Sequence, residues 1–154
     1  MERIDSLDKK ILKIIMGNAR IPSKDIALEC GVSRAAVHQR IQRMSELKVI
    51  TGSSYNVDPA ALGFTTCTFV GIKLERSSLY RTIIPKLKEI PEIVECHYTT
   101  GNYSVIIKLF AHDNRHLMEL IHDKIQHIPG VMATETFISL DQCIDRKLPV
   151  TFNY

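Results

Sequence analysis

Residues 23–44 read SKDIALECGVSRAAVHQRIQRM, and the fold of the N-terminal part turns on whether they make one helix or two. Gly31 divides them, because a glycine after Ile26, Ala27 and Cys30 is a helix stop and Ser33, two residues on, is a helix cap. Counting from Ser23, Ala27 is fifth, Gly31 ninth and Val37 fifteenth. Two helices crossing steeply through a turn of three or four residues need a small residue where they touch. They also need a residue tolerant of positive φ at the turn and an apolar anchor on the second helix. This stretch supplies all three. It predicts a helix-turn-helix, with Ser23 capping the first helix behind Pro22 and Val37, Ile41 and Met44 as the buried stripe of the second.

With that stripe inward, the opposite face of the second helix presents Arg34, Ala35, His38, Gln39, Gln42 and Arg43. Most exposed helix faces are merely solvated, but here Glu46 is the only acid between Ser33 and Lys48. A helix fits the major groove of DNA, where Arg and Gln make bidentate contacts with base edges and a small residue near the N-terminus permits close approach. The turn signature and the donors together point to a recognition helix. Arg34, His38, Gln39 and Arg43 are its base-reading candidates, Ala35 the point of close approach, and Lys24, Ser33, Arg40 and Lys48 the phosphate contacts. Charge agrees: the formal net charge is +3, with ten Lys/Arg against seven Asp/Glu in residues 1–60 and ten against ten in 61–154. A module that meets a polyanion, joined to one that does not, has this asymmetry.

Upstream, Leu7, Ile11, Ile14 and Ile15 keep helical spacing behind a cap at Asp5 or Ser6, and Gly17-Asn18 ends the run, which makes a three-helix unit. Downstream, VITGSSYNV (49–57) resembles a short strand, turn and strand, either a wing beside the helices or a linker. The Asp58-Pro59 turn signal then separates a helix-turn-helix domain with strand linker over 1–60 from a second domain over 61–154. The length of 154 residues allows one ordinary domain or two small ones, and the 45% hydrophobic content suits a packed core. No apolar run approaches bilayer-spanning length, and MERIDSLDKKILKII carries acids among its apolar residues, so a cytoplasmic chain with no membrane partner is expected. Cys30, Cys67, Cys96 and Cys143 form no Cys-x-x-Cys pair and read as small core hydrophobes.

The second domain contains a repeat. At an offset of 38, Gly63 matches Gly101, Leu79 matches Leu117, Ile83 matches Ile121, Leu87 matches Ile125, and Ile90-Pro91 matches Ile128-Pro129. Each copy runs strand, amphipathic helix, Ile-Pro stop, strand. Two such units give βαββαβ, a ferredoxin-like α/β sandwich, and place the whole chain in the α+β class. Pro85 inside the first of these helices should kink it or delay its start. The strands are apolar on both faces: Thr68, Val70, Ile72 and Leu74 alternate with Cys67 and Phe69, and Val105, Ile107 and Leu109 with Ile106 and Phe110. Two helices cover only one side, so the other is expected to stack in a homodimer, which would ask for a palindromic operator.

The motifs LDKKILKII, IALECGVSRAAVHQRIQRM, VITG, VDPAALG, TTGNYSVIIKL and IPGVMATETFISL together resemble the leucine-responsive regulatory protein/AsnC (Lrp/AsnC) family of transcription regulators over nearly the whole chain. The resemblance implies a sequence-specific DNA-binding regulator that dimerises through the ferredoxin-like domain, assembles further, often to octamers, and is modulated by an amino acid. It places the effector site between dimers, near the hairpin Thr99, Thr100, Gly101, Asn102, Tyr103 and Ser104 and near Thr134 and Thr136. A zwitterion there needs N–H donors for its carboxylate and oxygen acceptors for its ammonium; the same residues equally suit a plain β-hairpin with a primed turn. Two departures stand out. The family hairpin commonly carries two acids where this chain has Asn102 and Ser104, and the glycine usual before Val49-Ile50 is Lys48. His112 and His116, four apart, read as surface histidines, and neither a metal nor a cofactor is expected. The alternative function is a tetrapyrrole (sirohaem) decarboxylase-like enzyme of the same two-domain architecture, for which His97 is the candidate residue.

Overall fold

The computed structural model describes residues 4–150; residues 1–3 and 151–154, the outermost parts of the two domains assigned from sequence, lie outside the described residues. The chain forms two compact units, one made of the residues up to Asn56 with those from Ile144 onward, the other of Val57–Cys143.

In the first unit, α1 (Ser6–Gly17) starts at a reciprocal capping box. The Asp5 carboxylate accepts from the Asp8 N–H at 2.9 Å and the Asp8 carboxylate accepts from the Asp5 N–H at 3.0 Å. Helix α2 (Ser23–Cys30) is preceded by Pro22 at the cap position, so Ser23 opens the helix instead of capping it. Gly31 turns the chain with a left-handed φ of 70°, and the Ser33 hydroxyl oxygen caps α3 (Arg34–Glu46) by accepting from the Ala36 N–H at 3.1 Å. Ile11, Leu12, Ile26, Ala27, Val37 and Met44 are buried together as its core, with Ile41 half-buried beside them.

No wing forms: residues 51–58 contain no strand. The reason is the way α3 ends. Lys48 takes φ 57°, its N–H bonds the Ser45 carbonyl at 3.0 Å, and the Val49 N–H bonds the Met44 carbonyl at 2.9 Å, which is a Schellman turn. The turn consumes the residues read as a first strand and directs Ile50 back onto the helical core. The division at 60/61 also needs correction at its far side. Val150 packs on the helical core and Lys147 Nζ donates to the Met16 carbonyl at 3.0 Å, so residues 144–150 belong with the helices.

The second unit runs β1 (Thr66–Leu74), α4 (Tyr80–Lys88), β2 (Ile93–Tyr98), β3 (Val105–Ala111), α5 (Asn114–Glu119) and β4 (Val131–Ile138). It is a ferredoxin-like βαββαβ unit with an antiparallel sheet in the order β2-β3-β1-β4. Helix α5 continues as a π-helical turn over Leu120–Ile125. The repeated positions are those that cover the sheet: Ile83, Leu87 and Ile90 are buried like Ile121, Ile125 and Ile128. Pro85 sits exposed inside α4, which begins five residues before it, behind a 3-10 turn over Ser77–Leu79.

Register assigns the two faces. Thr68, Val70, Ile72 and Leu74 point to the helices and are buried. The outer face carries Cys67 and Phe69 of β1, opposite Phe110 and Lys108 of β3, with Phe137 of β4 beside Phe69. Phe69 is 40% and Phe137 48% exposed. Among the described residues no disulfide forms. Cys30 and Cys67 are half-buried as small hydrophobes, whereas Cys96 and Cys143 are exposed and are not core residues.

Candidate nucleic-acid interface and effector groove

Helix α3 stands on the core through Val37 and Met44, which leaves Arg34, Ala35, His38, Gln39 and Gln42 exposed. Ser33, Lys24 and Lys48 are exposed as well. The Ser33 hydroxyl uses its oxygen for the cap and keeps its own proton to donate. His38 Nε2 lies 3.4 Å from the Ser23 hydroxyl, and Gln42 Nε2 donates to Glu46 at 3.0 Å, so Gln39 and Arg34 are the least constrained readers on this face.

Arg40 and Arg43 do not share it. Three residues apart, they occupy the flank of α3 that meets α1. Arg40 Nη1 donates to the Asp5 carboxylate and, at 3.1 Å, to Asp8; Arg43 Nη1 donates to Asp8 at 3.2 Å. The Asp8 side chain is fully buried, while those of Arg40 and Arg43 are about one-third exposed. A buried carboxylate without partners costs several kcal/mol, so the two guanidiniums are drawn onto it. The Asp8 N–H, and after it the Arg40 guanidinium, hold the Asp5 carboxyl below its ordinary value; Asp5 and Asp8 in turn push Arg40 up. Sequence reasoning missed Asp8, although its place three residues after Asp5 was a readable capping signal.

In the second unit the hairpin of residues 99–104 is a six-residue connection rather than a two-residue primed turn. Gly101 takes φ 103°, and Asn102 does not share the positive φ. The Thr99 N–H bonds the Ser104 carbonyl at 3.0 Å, the Thr99 hydroxyl donates to the Tyr103 carbonyl at 2.8 Å, and the Ser104 N–H bonds the Ile72 carbonyl at 3.0 Å. Tyr103 lies across the outer sheet face on Gly71, where a Cβ would stand 2.6 Å from the ring. Its hydroxyl donates to Glu135, which pushes the phenol up, and its ring meets Phe137 edge-on at 6.4 Å.

Thr134 and Thr136 pair with Ile72 and Val70 and therefore face the helix side, away from Tyr103. They line a groove of about 350 Å³ between β4 and the α5 segment, with Asn114, Met118, His122 and Gln126. Gln126 Nε2 donates to the Thr134 hydroxyl at 2.8 Å, and Gln126 Oε1 is 2.8 Å from His122 Nδ1. Within one protomer, then, the hairpin and the two threonines lie on opposite sides of the sheet. Asn114, His122 and Gln126 had no motif to announce them; a π-helical turn, which shifts side-chain phase, places the latter two beside the groove. His97 is on the outer face, 3.6 Å from Glu95. Among the described residues no three His, Cys, Asp or Glu side chains group as a metal site, and no helix is long and apolar enough to cross a membrane.

A helix-turn-helix with a donor-rich exposed face, joined to a ferredoxin-like unit, defines a two-domain DNA-binding regulator. The AsnC-type helix-turn-helix model matches residues 4–45 and the Lrp/AsnC ligand-binding domain model residues 67–149. Regulatory protein AsnC of Haemophilus influenzae is 38% identical over 96% of this chain and 99% of the relative; that of Escherichia coli K12 is 37% identical over 94% and 95%. The solved structure of Escherichia coli AsnC superposes with a TM-score of 0.91, covering 96% of this chain and 99% of that one. The chain belongs to the Lrp/AsnC family of transcription regulators. Its relatives are regulators, which sets aside the decarboxylase-like alternative.

Proposed function

We propose that this regulator reads a palindromic operator through the exposed face of α3, in a homodimer that assembles further towards an octamer and responds to an amino acid. The observation that carries the reading is the Arg34, Ala35, His38, Gln39 face, donor-rich and held outward by the buried Val37 and Met44. Gln39 and Arg34 match base edges in the major groove, and Lys24, Ser33 and Lys48 match phosphates. The apolar outer sheet face, with Phe69 and Phe137 side by side, supports dimerisation by sheet stacking.

An amino-acid effector is supported by two solved relatives of the same fold, a regulator from Neisseria meningitidis and the feast or famine regulatory protein of M. tuberculosis, each in complex with L-methionine. Residues 99–104 and the Thr134–Thr136 groove lie on opposite sides of the sheet, which suits a site completed between copies. Glu135 supplies a carboxylate close to Tyr103, where the family's hairpin acids are replaced by Asn102 and Ser104.

The test is fluorescence anisotropy with a duplex enriched from a random-sequence pool, titrated with and without amino acids. Gln39→Ala should weaken the enriched duplex by about 1–3 kcal/mol and relax preference at one base pair. Lys24→Ala should weaken all duplexes alike and flatten the salt slope by about one. Equal binding of enriched and scrambled duplexes by the unmodified protein would refute sequence-specific reading by α3.

A further inference from the structure

We infer that Gln42 reads an adenine in the major groove and that Glu46 is the positioning residue that sets its amide for that contact. The inference rests on the assignment of α3 as the DNA-reading helix and adds to it a reader that the residue pattern did not single out. Gln42 follows Gln39 by three residues and His38 by four, so it continues the exposed stripe that Ala35, His38 and Gln39 begin. One turn further on, Glu46 is exposed as well, and Gln42 Nε2 donates to its Oε1 at 3.0 Å. Only one orientation of the amide suits this partner. Reversed, Gln42 Oε1 would face the carboxylate with no proton between them.

The orientation selects what Gln42 offers to DNA. One amide N–H is spent on Glu46, which leaves Oε1 and the second N–H for another partner. An acceptor and a donor side by side on one amide match the N6 amino group and N7 of adenine. Glu46 is the only acid between Ser33 and Lys48, and it stands in the last turn of α3. That place disfavours an acid, because it is the negative end of the helix dipole and DNA phosphates lie beside a reading helix. In water a pair of this kind only biases a side chain among its rotamers, but a groove that excludes water strengthens the bond. The carboxylate thus lowers affinity for every duplex and sharpens preference for one base, which raises specificity.

The experiment uses the full chain and its variants to enrich duplexes from a random-sequence pool, followed by anisotropy on the enriched duplex and its single-base replacements. The unmodified chain should favour adenine at one position by roughly tenfold, and Gln42→Ala should erase that preference while keeping the others. Glu46→Ala should lose most of the preference at the same position and bind every duplex more tightly, because a negative charge is gone. Glu46→Gln removes the same charge but keeps an oxygen that accepts from Gln42. It should gain affinity as Glu46→Ala does and retain the adenine preference. In a Gln42→Ala background, Glu46→Ala should leave the base preferences unaltered. Both side chains are exposed, so these changes open no cavity and the variants should fold. Preferences that survive Gln42→Ala intact overturn the reader, and a lost preference for a base other than adenine overturns the assignment of its contact. Preferences that survive Glu46→Ala overturn the positioning role. Equal losses in Glu46→Gln and Glu46→Ala would trace the effect to charge, and a loss that persists without Gln42 would make Glu46 itself the contact; either result overturns the inference. An unmodified chain that enriches no sequence refutes the α3 assignment itself, and this inference with it.

Discussion

Lys48 occupies the left-handed position that closes α3, with φ 57°, the only non-glycine with positive φ among the described residues. A Cβ there meets the following carbonyl, and glycine does not. Lys48→Gly should therefore raise stability by about 1 kcal/mol, measurable as a higher urea midpoint at unchanged slope, while removing one of the proposed phosphate contacts. This strain was legible beforehand, because the residue before Val49-Ile50 departs from the family's glycine. The role of Asp8 was not. Its burial depends on how α1 packs across the flank of α3, and residue spacing along either helix carries no record of that angle.

Among elements, the junction of α1 and α3 makes a prediction about pH. The Asp5 carboxyl is held below its ordinary value of 3.8, first by the Asp8 N–H and then by Arg40. A depressed native value means that the contribution of Asp5 is fully present above 3.8 and is lost as pH falls through that value and on through the native one. Acid unfolding of the unmodified chain should accordingly steepen below about pH 4. Asp5→Asn should show a shallower loss of stability between about pH 5 and 3, and identical acid limbs in chemical denaturation would contradict the pairing. The helices themselves were readable from the sequence because caps, stops and apolar spacing agreed at each end. The wing was not excluded by the sequence, since VITGSSYNV has strand-like composition; only the Schellman turn and the return of Ile50 to the core decide it. Likewise the sides taken by Tyr103 and by Thr134 and Thr136 follow from pairing register with β1, which the 38-residue repeat does not specify.

For the whole molecule, the uncovered sheet face is the feature with the largest consequence for assembly. Phe69 stands in its middle, paired across strands with Lys108 and Phe137. Phe69→Glu adds a charge that stacking would bury without a partner, so the variant should sediment near the single-chain mass of 17.5 kDa while the unmodified protein sediments at twice that or more. Equal sedimentation would mean that copies meet elsewhere. Both units and their two layers were legible because the repeat and the helix-turn-helix spacing are long-range regularities. The allegiance of residues 144–150 was not, as one valine and one lysine carry it. That allegiance makes the ferredoxin-like unit an insertion in the sequence of the helical unit, reached by one covalent crossing and left by another. A protease cut within 51–58 would sever only the first. The two fragments would then stay associated through a segment of seven residues, by complementation rather than by peptide bonds.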